Sequence, residues 1–129
     1  GEAQLLGTSG TVTTLTGVHL GLARYDRAVV DGAYLDFDDI RVMSDRLRGQ
    51  DCADRAAHPC IGAERADLVV AGCAILEAIC RRWPIGQLRV ADRGLREGLL
   101  LNLIRDAEAE VRGPQRGRPQ GTRPQGRER

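Results

Sequence analysis

The stretch Gln87–Gly98, QLRVADRGLREG, constrains the fold most, because its hydrophobic period changes within three residues. Leu88 and Val90 alternate with Arg89, and Ala91 follows, which is the period of a short strand. Asp92-Arg93-Gly94 is a polar turn. From Leu95 the period is helical: Leu95, Leu99 and Leu103 share one face, with Leu100, Ile104 and Ala107 beside it. Strand, tight turn and helix make the α/β unit whose ligand sites lie at the carboxyl ends of strands. Asp92 is read as the cap of that helix, accepting backbone N–H bonds, in preference to a direct ligand or metal role.

A chain of 129 residues has room for one domain with a core. It begins at Gly1 and runs at once into an apolar strand, so an upstream part of a larger protein is expected. No 18-residue apolar run is present, and neither a transmembrane helix nor a leader is expected. Cys52, Cys60, Cys73 and Cys80 form no C-x-x-C pair. Cys73 and Cys80 share a helix face and read as small buried hydrophobes. With only His19 and His58 to add, a zinc site is disfavoured, and free thiols fit a reducing cytoplasm.

All 19 basic residues are arginine, which reads as GC-rich codon bias rather than as chemistry. Residues 1–111 hold 13 Arg against 17 acids; residues 112–129 hold six Arg against Glu128 alone. A negative body argues against a nucleic-acid partner. The segment 112–129 repeats Arg-Pro-Gln-Gly, has no apolar residue to bury, and is expected to be a disordered tail.

Along the body, Ala3–Leu6 reads as a strand leading into Gly7-Thr8-Ser9-Gly10-Thr11. Such a loop at a helix start offers free N–H groups to an anion, although many ordinary strand-to-helix turns share its composition. Val12–Leu22 follows as a helix despite its β-branched residues, with His19 expected in the core. Tyr25-Asp26-Arg27 is a turn and Val29–Leu35 a strand interrupted by Gly32. Asp36 is expected to cap a helix bearing Phe37, Ile40, Met43 and Leu47, with Asp38 and Asp39 in its first turn and Gly49 as its stop. A small helix covers 53–57. Gly62–Trp83 is the longest periodic segment, expected to be one helix buried on most sides, with Gly72 admitting a close strand and Pro84 ending it.

These stretches together are specific. L-L-G-T-S-G-T-V-T-T-L, then H-P-C-I-G-A-E-R-A-D-L-V-V-A-G-C-A-I-L-E-A-I, then R-V-A-D-R-G-L-R-E-G-L-L resembles the carboxyl-terminal part of the second domain of the Ppx/GppA phosphatase family. The flavour is that of alphaproteobacterial members, and the resemblance spans about residues 4–105. It implies an α/β, ribonuclease H-like fold of the actin-like ATPase superfamily. It also implies Mg²⁺-dependent hydrolysis of terminal phosphates from polyphosphate or pppGpp. The family's catalytic acid and D-I-G-G-G-S loop match nothing here, so no catalytic residue and no Mg²⁺ ligand is assigned, and the piece alone is expected to be inactive.

On the same resemblance, Gly7, Thr8, Ser9, Gly10, Thr11 and Arg65 are expected to meet phosphate, and Asp92, Arg93 and Gly94 to shape the cleft. A helix-surface salt bridge of Arg65 with Glu64 or Asp67 stays equally open. Thr13 stands where some members carry a lysine, which removes a cationic contact. Expected partners are the substrate, the family's first domain and, as in many members, a second copy. Two other classes stay open: a module that binds polyphosphate or an alarmone without hydrolysing it, and part of an actin-like kinase.

Overall fold

The computed structural model describes residues 3–112. Of the segment 112–129, expected as a tail, Arg112 is the last residue of a helix, and 113–129 lies outside the described residues. A first compact unit ends at Gly94 and a second begins at Leu95.

In the first unit the order is β1 (Leu5–Gly7), α1 (Gly10–His19), α2 (Arg27–Val30), β2 (Tyr34–Asp36), α3 (Phe37–Gly49), α4 (Cys52–Ala57), α5 (Leu68–Arg82) and β3 (Gln87–Val90). The second unit is described through one helix, α6 (Leu95–Arg112). The strands form a mixed sheet in the order β1-β3-β2. β3 lies parallel to β1, with Leu5 opposite Leu88, and antiparallel to β2, with Leu35 opposite Leu88. The alternation read at Leu88 and Val90 is a burial pattern: both are buried and Arg89 between them is exposed.

Leu15, Val30, Leu35, Ile40, Cys73, Leu88 and Val90 make the centre of the core, drawn from α1, α2, β2, α3, α5 and β3. A fully buried leucine such as Leu15 contributes about 1.5–3 kcal/mol relative to an exposed one.

In the threonine-rich run 11–16 two of the hydroxyls bond back to carbonyls of the same helix end. Thr16 Oγ1 donates to Val12 O at 2.7 Å, and Thr13 Oγ1 reaches Gly10 O at 3.2 Å and Ser9 O at 3.3 Å. Three buried polar side chains are thereby satisfied at no external cost once Arg65 serves Thr14.

Several expectations need correction. His19 is at the solvent surface, 3.8 Å from Asp39, because the core face of α1 ends before it. Val29 and Val30 are helical, since Asp26 Oδ1 accepts the Ala28 N–H at 2.9 Å and opens a turn of helix. The strand starts only at Tyr34, after Gly32 at φ +86° redirects the chain.

Asp36 holds the N-cap position of α3 without a side-chain cap bond; its Oδ1 accepts Gln87 Nε2 at 2.8 Å instead. Gly49 is the last residue of α3 rather than a left-handed stop. The α3 terminus is held by Arg55, which donates to the carbonyls of Leu47 (3.1 Å) and Gln50 and, through Nε, to Ala66 (2.8 Å).

The long helix begins at Leu68, because 62–67 forms turns, with Gly62 at φ +73°. It is buried on one face only, by Val69, Cys73, Leu76 and Cys80, while Leu68 and Ile75 are exposed. Gly72 faces α1 rather than a strand: a Cβ there would lie 2.2 Å from Thr11 Oγ1.

Candidate functional site

β1 and β3 run parallel, so both release their chains at the same end of the sheet. After β1 comes Thr8-Ser9-Gly10 and the start of α1; after β3 come Ala91 and Asp92. A hollow of about 400 Å³ opens there. Its walls include Thr8, Gly10, Tyr25, Cys60, Arg65 and Asp92.

Gly7 sits beneath this floor. A Cβ on it would come within 2.8 Å of Val12 Cγ1 and 3.2 Å of Leu88 Cδ1, so glycine lets α1 fold back against the sheet. Ser9 is the N-cap of α1, its Oγ accepting the Val12 N–H at 3.4 Å. The Thr13 N–H goes to Ser9 O at 3.1 Å. The N–H groups of Gly10 and Thr11 have no hydrogen-bond partner among the described residues, as expected of the first positions of a helix. Thr11 is partly turned to Gly72 and lines an adjoining hollow that also reaches Arg65.

Arg65 completes the positive end. It lies in a turn before α5 rather than on a helix surface. Its Nη1 donates to the buried Thr14 Oγ1 at 2.8 Å, and it makes no ion pair with Glu64 or Asp67. That bond lays the guanidinium within 3.7–3.8 Å of where a Gly10 Cβ would be. A cation and the N-terminal end of a helix therefore face the same space, both favouring an anion. Thr13, in the position where a lysine was considered, is buried and lines the hollow.

Asp92 forms the opposite wall. Its Oδ2 accepts Tyr25 OH at 2.8 Å and stands 3.5 Å from Arg27 Nε. Its carbonyl accepts Arg27 Nη2. These bonds were not part of the capping expectation: the carboxylate is engaged by a loop 65–67 residues earlier. Burial, with the Asp92 hydrogen bond second, pushes the Tyr25 phenol above its usual 10.0. Arg93 points to Asp31 (Nε to Oδ2, 3.0 Å) and does not line the hollow. Thus Thr8, Gly10, Arg65 and Asp92 are brought together, Ser9 and Gly7 serve the backbone, and Arg93 and Gly94 belong to the turn behind them.

Two wall elements escaped the sequence reading. Tyr25 looked like an ordinary turn residue, and no pattern linked it to Asp92. Pro59-Cys60-Ile61-Gly62 also lines the hollow, so the H-P-C-I-G run quoted for the resemblance was its available signal. His58 Nδ1 accepts the Cys60 N–H at 3.2 Å, and burial with nearby Arg46 lowers its pKa below 6.5. The neutral ring that can accept this bond is the favoured form.

Among the described residues no three or more His, Cys, Asp or Glu side chains gather to hold a metal ion. None of the described helices is long and apolar enough to cross a membrane. The thiols of Cys52, Cys60, Cys73 and Cys80 are free.

An α/β unit with a mixed sheet, and an anion-suited hollow where two parallel strands end, places the chain in the actin-like ATPase-fold class. The Ppx/GppA phosphatase family matches residues 1–107, and the chain belongs to it. The Exopolyphosphatase 2 of Mycobacterium tuberculosis is 29% identical over 102 residues, which is 76% of this chain and 32% of that protein. The crystal structure of the Aquifex aeolicus Ppx/GppA family member superposes with a TM-score of 0.78 at 26% identity, over 83% of this chain and 35% of that one. An exopolyphosphatase-like protein of known structure gives 0.74 at 29% identity, over 83% and 36%. The chain thus spans about a third of the length of these relatives.

Proposed function

We propose that this chain forms one wall of the substrate cleft of an exopolyphosphatase, an enzyme that hydrolyses terminal phosphoanhydride bonds of inorganic polyphosphate. Family membership supports phosphoanhydride hydrolysis as the reaction class. The observation that carries the residue-level reading is the hollow itself, in which Arg65 and the first N–H groups of α1 face one space. pppGpp ends in the same phosphoanhydride group, and the hollow meets only that shared chemistry.

Water attack on a terminal phosphorus spreads negative charge over the phosphoryl oxygens as the bond to the bridging oxygen breaks. The Gly10 and Thr11 N–H groups and the Arg65 guanidinium would offset that charge. Asp92, fixed by Tyr25, would border the phosphate from the other side and limit how far the chain enters. We assign no catalytic base to these residues. The Mg²⁺ implied by the family resemblance would be held by groups outside residues 3–112. A cytoplasmic location is part of this reading, supported by the free thiols of Cys52, Cys60, Cys73 and Cys80.

The test is calorimetric titration of the full chain with tripolyphosphate and longer polyphosphate. Arg65→Ala is expected to weaken binding roughly tenfold, the scale of one charge-assisted hydrogen bond. Unchanged affinity in a folded Arg65→Ala protein would remove the hollow from the substrate path. Phosphate release with Mg²⁺ should be undetectable from this chain alone; turnover would refute the assignment of catalysis to other residues.

A further inference from the structure

The Asp92 turn is tied down by a side chain that never reaches the hollow. Asp31 Oδ1 accepts the Asp92 N–H at 2.9 Å, and its Oδ2 accepts Arg93 Nε at 3.0 Å. The two bonds cross 61 and 62 residues of sequence. Neighbouring backbone bonds set the height of the clasp: Gly32 N to Val90 O and Val90 N to Ala33 O, each 2.8 Å. Asp31 itself is fixed as the C-cap of α2, its N–H bonded to Arg27 O at 2.9 Å. From the same short helix come the groups that meet Asp92 from its other side, Arg27 and, just before it, Tyr25. Tyr25 and Asp92 line the hollow; Asp31 does not.

We propose that Asp31 is a positioning residue for the hollow: by holding the backbone N–H of Asp92, it sets where the Asp92–Tyr25 pair stands as the wall opposite Arg65. This rests on the polyphosphate reading above for its functional consequence, and on geometry for its structural one. Three side chains converge on Asp92, and two of them, Tyr25 and Arg27, could follow it if it moved. The Asp31 clasp is the one that holds the Asp92 N–H, beside the backbone bonds of Gly32 and Ala33 to Val90. Without it, Arg93 loses its carboxylate partner, and the turn is free to follow Arg27 outward. The Asp31 carboxyl has its pKa lowered, first by the Asp92 N–H and then by Arg93, which agrees with a charged clasp.

The experiment reads the wall directly. The chain has two tyrosines, Tyr25 and Tyr34, so Tyr34→Phe leaves Tyr25 as the sole tyrosinate chromophore. In that background the Tyr25 titration followed by ultraviolet absorbance should lie above 10.0. Asp31→Ala should move it down toward 10.0 and weaken tripolyphosphate binding roughly fivefold, the equilibrium equivalent of one net hydrogen bond. Asp31→Asn, which keeps an acceptor for the Asp92 N–H, should restore most of both, and it carries the test if the alanine variant is poorly folded. Arg93→Ala should leave the Tyr25 midpoint in place. An unmoved midpoint in Asp31→Ala, or a moved midpoint with unchanged binding, would overturn the proposal. Absence of tripolyphosphate binding by the parent chain would instead overturn the polyphosphate reading, and the midpoint would still decide whether Asp31 holds the pair.

Discussion

Gly7, Gly10 and Gly72 are indistinguishable as letters and differ in what surrounds them. A Cβ at Gly10 would meet the Arg65 guanidinium first, at 3.7 Å, an ordinary contact. A Cβ at Gly72 would overlap Thr11 Oγ1 at 2.2 Å and Cγ2 at 2.9 Å, with Thr11 Cβ itself at 3.1 Å. Alanine at 72 gains ~1 kcal/mol of helix propensity. Overpacking a close helix contact costs about 1–3 kcal/mol, and rotating Thr11 cannot remove its Cβ, so the clash wins. Gly72→Ala is therefore expected to lower the urea midpoint, while Gly10→Ala leaves it unchanged and Gly10→Leu weakens tripolyphosphate binding without unfolding. Equal midpoints for the parent and Gly72→Ala would show that α1 and α5 do not approach as described. Gly7 belongs with Gly72: with Val12 Cγ1 at 2.8 Å, bulk there reports on stability and not on the site.

Arg55 shows what a single side chain does for three elements. It leaves α4 and bonds carbonyls at the end of α3 (Leu47, Gln50) and just before α5 (Ala66). Helix-end carbonyls lack intrahelical donors, and a charged donor satisfies them at about 1.5–3 kcal/mol per bond, less than additively. Arg55→Ala is expected to destabilise by about 2 kcal/mol or more. Arg55→Lys should recover only part of that, since one ammonium on a flexible stem cannot match a planar fork. Full recovery by lysine in chemical denaturation would show that charge alone matters there.

None of this was legible beforehand, because Arg55 reaches partners 5–11 residues away that follow no periodic pattern. What was legible is local. The switch from strand to turn at Asp92, the faces of α3, and the loop before α1 each carry their cause within a few residues. Errors arose where local and tertiary preferences part. Ala66 is fully buried yet lies in a turn, so helical periodicity seemed to start six residues early. The Val29-Val30 pair favours strands, yet the Asp26 cap and the turn at Gly32 place it in a short helix. At the site, the G-T-S-G-T loop could be read from composition and Arg65 from the family resemblance alone. Tyr25 and Asp31 act across more than 60 residues and had no local sign.

One edge of the sheet is open: among the described residues β1 pairs with β3 alone. Beside it runs an apolar hollow of about 380 Å³, walled by Leu5, Leu6, Ile75, Leu76, Ile79 and Leu88. Leu6 is 57% and Ile75 64% exposed, although both sit on otherwise well-packed elements. Unpaired strand edges and contiguous apolar surface are the two features that drive soluble chains to associate, and here they adjoin. The described helix α6 adds, within its own unit, a stripe of exposed Leu95, Leu99, Leu103 and Ile104. The first unit alone is therefore expected to self-associate at high concentration, more strongly with salt because burial rather than charge would drive it. Static light scattering on a dilution series should show mass falling with dilution. Leu6→Lys with Ile75→Glu places charges at the edge and in the hollow, and should shift the midpoint of that fall at least tenfold, about 1.4 kcal/mol. Constant monomer mass for the parent, or association undiminished in the double variant, would show that this edge is not the surface through which the chain meets others.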